Sequence, residues 1–219
     1  MVLSSILRYL REPVSGLTHL FAALLSVLGL VLLIHRGLMA ESGVVLSAFT
    51  IFGLTLILLY TASSLYHLLP VSEDKIKMLR KLDHMMIYVL IAGTYTPVCM
   101  VILDGMFGWS LLIIMWALAA IGIIFKLFWM HAPGWISLAM YIGMGWLGVL
   151  AFPTLATNMP LSGIMWILMG GLAYTVGAVI YGLKKPDPFP NVFGSHEIWH
   201  LFVMLGSFCH FWAMYSYAV

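Results

Sequence analysis

His196 and His200 stand four residues apart in Ser195-His196-Glu197-Ile198-Trp199-His200, at the start of a long apolar run. On a helix both rings leave one face about one turn apart, the spacing by which two imidazoles grip a single zinc ion. Two interfacial histidines would show the same spacing, so the pair needs company. A third imidazole, His67, closes Ser63-Ser64-Leu65-Tyr66-His67 at the end of another apolar run, and Asp83 opens a further one in Lys81-Leu82-Asp83-His84. Three histidines with one position left for water is the pattern of a catalytic zinc site. Zinc lowers the pKa of such a water toward about 7 and polarises a carbonyl. Asp83 could orient that water or take its proton, and then serve as acid to the leaving group; the alternative is an ion pair with Arg80 or Lys81. Ser63 lies one turn before His67 on the same face. It either donates to the water or to a substrate carbonyl oxygen, or it bonds the carbonyl four residues back.

Groups so far apart in sequence meet only if the chain between them is built to bring them together. The chain has 219 residues, 63% of them hydrophobic and only 8% charged, against roughly 25% charged in a soluble domain. Eighteen charged side chains cannot cover the surface of a water-soluble protein of this size. A soluble enzyme, a nucleic-acid binder and a disordered chain are thereby excluded, and a net charge of +2 implies no polyanionic partner. Crossing the hydrocarbon layer takes about 20 apolar residues. Seven segments qualify, at 13–35, 43–69, 82–103, 107–130, 134–153, 159–183 and 194–218. They are continuous rather than alternating, which speaks for helices and against a β-barrel. The expected fold is an all-α integral membrane protein, a single seven-helix transmembrane domain over residues 1–219. The first run lacks the short core and small-residue exit of a cleavable signal peptide.

Turn and polar signals separate the spans, among them Ser72-Glu73-Asp74-Lys75, Asp104-Gly105 and Lys184-Lys185-Pro186. Pro97 is expected to kink the third span. With the N-terminus in the cytoplasm, the cytoplasmic ends collect Arg8, Arg11, Lys75, Lys77, Arg80, Lys81, Lys126, Lys184 and Lys185, leaving only Arg36 outside. Seven spans then put the C-terminus outside, the reverse of a G-protein-coupled receptor. The seventh span has no lysine for a retinal Schiff base. This orientation brings His67, Asp83 and the His196/His200 pair to one level, at the cytoplasmic ends of three helices. Other polar groups rank lower. His19 either adjoins the site or is a buried, hydrogen-bonded histidine. His84 and Glu197 turn about 100° from their neighbours Asp83 and His196, which suits His84 to packing and Glu197 to a basic partner. His35 and His131 fall at span ends. His210 is about 21 Å beyond His196 along the helix, too far to share an ion. Gly143, Gly145, Gly170 and Gly171 suggest close helix approach.

Arg11-Glu12-Pro13-Val14-Ser15-Gly16-Leu17-Thr18-His19, together with the motifs ending at His67, containing Asp83 and spanning His196 to His200, resembles the hemolysin III proteins of bacteria. Those are grouped with the progestin and adipoQ receptors and, more distantly, with the alkaline ceramidases. The resemblance covers essentially the whole chain. It implies a zinc ion near the cytoplasmic leaflet of the bacterial plasma (inner) membrane, held by His67, His196 and His200, with Asp83 contacting the zinc-bound water and Ser63 beside it. It also implies ceramidase-like chemistry attributed to some members, and a role in membrane-lipid homeostasis tied to others. The chain has no large soluble N-terminal segment, so adiponectin-type hormone recognition does not carry over.

Three functions are open at this point. One is a zinc-dependent intramembrane hydrolase of a lipid acyl amide or ester, with membrane lipids as partners and a fatty-acyl lipid as substrate. Another is a receptor or sensor in which zinc only holds helices together. The last is a pore-forming cytolysin, disfavoured because a pore requires a polar stripe through the full membrane thickness.

Overall fold

In the computed structural model, which describes residues 9–103 and 105–219, Pro13 begins the first helix and Glu12 precedes it as N-cap. Proline suits this place because the first helical N–H has no intrahelical partner. Seven helices among the described residues are long and apolar enough to cross a membrane: Pro13–Met39, Gly43–Leu68, Glu73–Leu103, Gly105–Phe128, Gly134–Asn158, Leu161–Leu183 and Ser195–Tyr217. No strand occurs among the described residues. Arg8 and Asp104 lie outside them.

Two spans depart most from the expected bounds, each for a physical reason. The third begins at Glu73 rather than residue 82, because Ser72-Glu73-Asp74 is a helix start and not a break. Glu73 and Asp74 occupy its first turn, where carboxylates complement the positive end of the helix dipole. Pro97 does not end this span; the chain widens into a π-helical stretch, Val98–Leu103. Proline has no N–H to offer and crowds the preceding turn, and a wider turn accommodates both. Asn158 Nδ2 donates to the Ile102 carbonyl at 2.8 Å, satisfying a group of that stretch.

The fifth span runs on to Asn158 through a 3₁₀ stretch, Leu147–Ala151. The Tyr95 hydroxyl holds this irregular backbone, donating to the Gly145 carbonyl at 2.6 Å and accepting from the Gly148 N–H at 2.5 Å. Non-helical backbone at membrane depth persists only where protein satisfies it in this way.

Consecutive spans pack as neighbours, and the first also packs on the seventh, so the bundle closes on itself. The third span is the most buried. It meets the second, fourth and fifth. The first-to-seventh closure and the adjacent ends of the second and third spans are where the conspicuous polar residues gather.

Candidate metal centre

The last turn of the second span carries His67, and the first two turns of the seventh carry His196 and His200. One ring nitrogen or its equivalent from each of these three residues lies within 4.8 Å of the others, near enough to hold one metal ion. Ring centroids are 5.0 Å apart for His67–His196, 4.9 Å for His67–His200 and 4.7 Å for His196–His200. His67 is 1% exposed and His200 3%.

The polar atoms left without partners support the same reading. Nε2 of His67 and Nε2 of His196 are buried with no hydrogen bond among the described residues. A buried ring nitrogen with nothing to bond is costly, and a cation shared by the cluster is the partner that would relieve it. The donor set therefore fits a metal.

Two of the three rings are held from behind by the first turn of the first span. The Nδ1 of His67 hydrogen-bonds Oε2 of Glu12. The Nδ1 of His200 lies 3.2 Å from the Ser15 carbonyl, to which it donates. Each ring thus spends one nitrogen on a fixed acceptor and keeps the other for the centre, the arrangement that sets the tautomer of a metal-ligating histidine. Glu12 is itself fixed. Its backbone N–H donates to the His67 carbonyl at 2.9 Å, and Oε1 pairs with Arg11 Nη2 at 3.2 Å. The Arg11 guanidinium in turn lies 4.3 Å from the centre of the Tyr66 ring. The hydrogen bond from His67, and then the charge of Arg11, hold the Glu12 carboxyl below the usual carboxylate range against the opposing effect of burial.

Asp83 stays outside the group of three possible ligands. It is 8% exposed and does not pair with Arg80 or Lys81; its Oδ2 is 3.3 Å from Nδ1 of His84. His84 is therefore more than packing, since it touches the carboxylate while also reaching the Arg80 carbonyl at 2.9 Å. Lys81 reaches instead to the Leu127 carbonyl at 3.3 Å. Ser63 is 1% exposed and lines the same cavity as Asp83; among the described residues it makes no bond to the carbonyl four residues back.

Ser63, Asp83, His196 and His200 line one cavity of about 310 Å³, shared with His19. Its remaining wall is largely apolar, including Leu90, Val98, Leu155 and Ile164, and it reaches His210. That residue is about 21 Å from His196 along the helix. His67 faces a second, polar cleft with Glu12, Tyr66, Arg80 and Glu197. The histidine cluster thus stands between an apolar slot and a polar opening.

His19 adjoins the site, the first of its two expected places, and is not the hydrogen-bonded histidine of the second: among the described residues both its ring nitrogens are without partners. Its ring stacks on His200, centroids 3.7 Å apart at 11°, and meets Tyr60 edge-on at 5.0 Å. Glu197, expected to meet a basic group, pairs with none among the described residues. It accepts from Ser15 Oγ at 2.7 Å and from the Gly194 N–H at 2.8 Å, capping its own helix and tying it to the first. The sequence did carry a signal for the first-span contribution. Glu12, Ser15 and His19 recur at i, i+3 and i+7, a polar stripe on one face of an otherwise apolar span. His35 and His131 are exposed at span ends, and His210 stacks on Tyr174 at 5.6 Å.

The family profile described as haemolysin-III related matches residues 7–211. Hemolysin-3 of Bacillus cereus is 39% identical over 209 residues, covering 95% of this chain and 92% of that protein. The Hemolysin-3 homolog of Bacillus subtilis is 39% identical over 208 residues, covering 95% and 94%. The human monocyte to macrophage differentiation factor is 26% identical over 204 residues, covering 91% and 81%.

Proposed function

The chain belongs to the haemolysin-III-related family as a multi-pass plasma-membrane protein, and from this premise and its three-histidine cluster we propose that it is a zinc-dependent hydrolase of a lipid acyl amide or ester. The observation that carries the reading is the joint lining of one mostly apolar cavity by His196, His200, Asp83 and Ser63. A lipid chain fits such a slot, and its carbonyl can lie beside an acid and a hydroxyl. The same reading puts the N-terminus and the site on the cytoplasmic side, supported by the nine of ten Lys and Arg that fall there.

His67, His196 and His200 are the residues to hold zinc, which when bound supplies Lewis acidity to a water and to the carbonyl. The protein's own groups do the rest. Glu12 Oε2 and the Ser15 carbonyl keep the Nδ1 protons of His67 and His200 in place, leaving the other ring nitrogens as donors to the ion. Ser63 Oγ–H donates to the substrate carbonyl oxygen as negative charge builds there. Asp83 accepts a proton from the attacking water and returns it to the departing nitrogen or oxygen. The acyl C–N or C–O bond breaks, a C–O bond to the water oxygen forms, and a fatty acid leaves with an amine or alcohol. The apolar wall keeps further water away from the carbonyl.

The test is release of fatty acid from acyl amides and esters by purified, zinc-loaded protein. Asp83→Ala is expected to lower the rate about 10²- to 10⁴-fold. Wild type and variant equally inert across lipid classes would end the proposal. A second reading, a sensor whose metal only joins helices, is favoured by the bonds that tie Ser15 to Glu197 and to His200 across the first and seventh spans.

A further inference from the structure

Lys126 is an amine held inside the protein with no carboxylate beside it among the described residues. It lies near the end of the fourth span, 3% exposed, and its one hydrogen bond among the described residues is to Ser137 Oγ of the fifth span at 2.5 Å. No carboxylate among the described residues is within 4.0 Å of it, since none of the ion pairs includes it. A lysine this close to a span end ordinarily extends its amine outward to the headgroups. Lys126 turns inward and lines the cavity that holds Asp83 and Ser63. A buried amine holds its proton readily only beside an anion, so the arrangement points to a partner that arrives with the ligand.

A second cation stands on the same wall. Arg80, exposed near the start of the third span, lines both the apolar cavity and the polar cleft. Among the described residues Arg80 has no acidic partner within 4.0 Å either, and Asp83 is turned to His84. The rim of a hydrocarbon-walled cavity therefore offers a planar guanidinium, an ammonium and a hydroxyl together. Basic pockets between membrane helices on one leaflet's side hold lipid phosphates by this combination, and the guanidinium fork suits phosphate oxygens in pairs.

We propose that Lys126, Arg80 and Ser137 form a phosphate subsite, making the substrate a phosphate-bearing lipid whose acyl chain fills the cavity. A fatty-acid carboxylate fits less well: it is the end of its own chain, and anchoring it here leaves no acyl carbonyl for Asp83. Placing that carbonyl at Asp83 rests on the hydrolase reading; the subsite itself does not.

Binding tests it without turnover. Trp146 and Trp199 line the cavity, so lipids with brominated chains that enter it quench their fluorescence. The zinc-loaded protein in uncharged detergent should bind phosphatidic acid about tenfold more tightly than diacylglycerol of the same chains, the weight of one charge-assisted contact. Lys126→Gln keeps a donor for Ser137 and removes the charge; it should bring the two lipids within about twofold at unchanged thermal stability. Arg80→Gln, at an exposed position, gives the same comparison if Lys126→Gln does not fold. A preference for phosphatidic acid that survives both substitutions overturns the proposal. So does a fatty acid binding as tightly as phosphatidic acid, or inorganic phosphate displacing the lipid at equal concentration. A lost preference in the variants with no hydrolysis by wild type upholds the subsite and sinks only the hydrolase.

Discussion

Glu12 is 55 residues from His67 in sequence, yet its carboxylate fixes which nitrogen of that imidazole is free for a metal. Carboxylates that orient metal-binding histidines typically contribute 10- to 100-fold in affinity. Glu12→Gln should weaken zinc binding by about that factor. The amide keeps an acceptor for Nδ1 but loses the charge, so the melting temperature of the metal-free protein should hardly move. Competition with a fluorescent zinc chelator measures the first quantity and a thermal scan after chelation the second; a fall in both alike would make Glu12 a mere brace. The three histidines and Asp83 were legible because ring spacing and span-end position are properties of short stretches. Glu12 was legible only as the start of the polar stripe that Ser15 and His19 continue; its tie to His67 was not, since that partner is remote. His19 was only half legible. Its burial followed from an apolar context, but the stack on His200 depends on how the first and seventh spans cross.

The number of spans could be read from the apolar runs, because the hydrocarbon thickness sets a length that sequence displays directly. Element ends were harder. Ser72-Glu73-Asp74 is polar as a loop would be and acidic as a helix start should be, and the structure resolves it as the latter. Glycine pairs were the least readable feature. Gly143, Gly145 and Gly171 have nothing within 4 Å of where a Cβ would stand, whereas a Cβ on Gly170 would meet His210 Nε2 at 2.6 Å. Composition reveals that a helix has small residues; only packing reveals which of them face a neighbour. Gly37 faces one closely, with the Leu46 Cα 2.8 Å from its would-be Cβ. Backbone cannot yield as a side-chain tip can, so Gly37→Ala should force the first and second spans apart. A destabilisation of about 1–3 kcal/mol is expected for such overpacking, read as a lower unfolding midpoint in detergent. Gly143→Ala, placed in open space, should leave that midpoint where it was.

At the scale of the whole molecule, charge and closure act at the same end. No Asp, Glu, Lys or Arg occupies the middle of any span, so no charged stripe of the kind a pore requires runs through the membrane thickness. Charge gathers instead where the first span meets the seventh and both meet the end of the second. His67 and His200 come from two of those spans, and Ser15 of the first holds His200. A cation shared by the cluster would thus fasten the ring of helices where its chain ends meet. Binding to the folded state alone stabilises it in proportion to the logarithm of ligand concentration over dissociation constant, about 2.7 kcal/mol at a hundredfold excess. Zinc should therefore raise the melting temperature of wild type, and a chelator should reverse the gain. His200→Ala should lose the response entirely, having lost one donor of three. The two functional readings then separate on one further comparison. Asp83→Ala keeps all three imidazoles, so a catalytic metal predicts an intact zinc-dependent melting shift with hydrolysis lowered about 10²- to 10⁴-fold. A sensor in which the ion is only a fastener predicts the same shift in both proteins and no fatty-acid release from either.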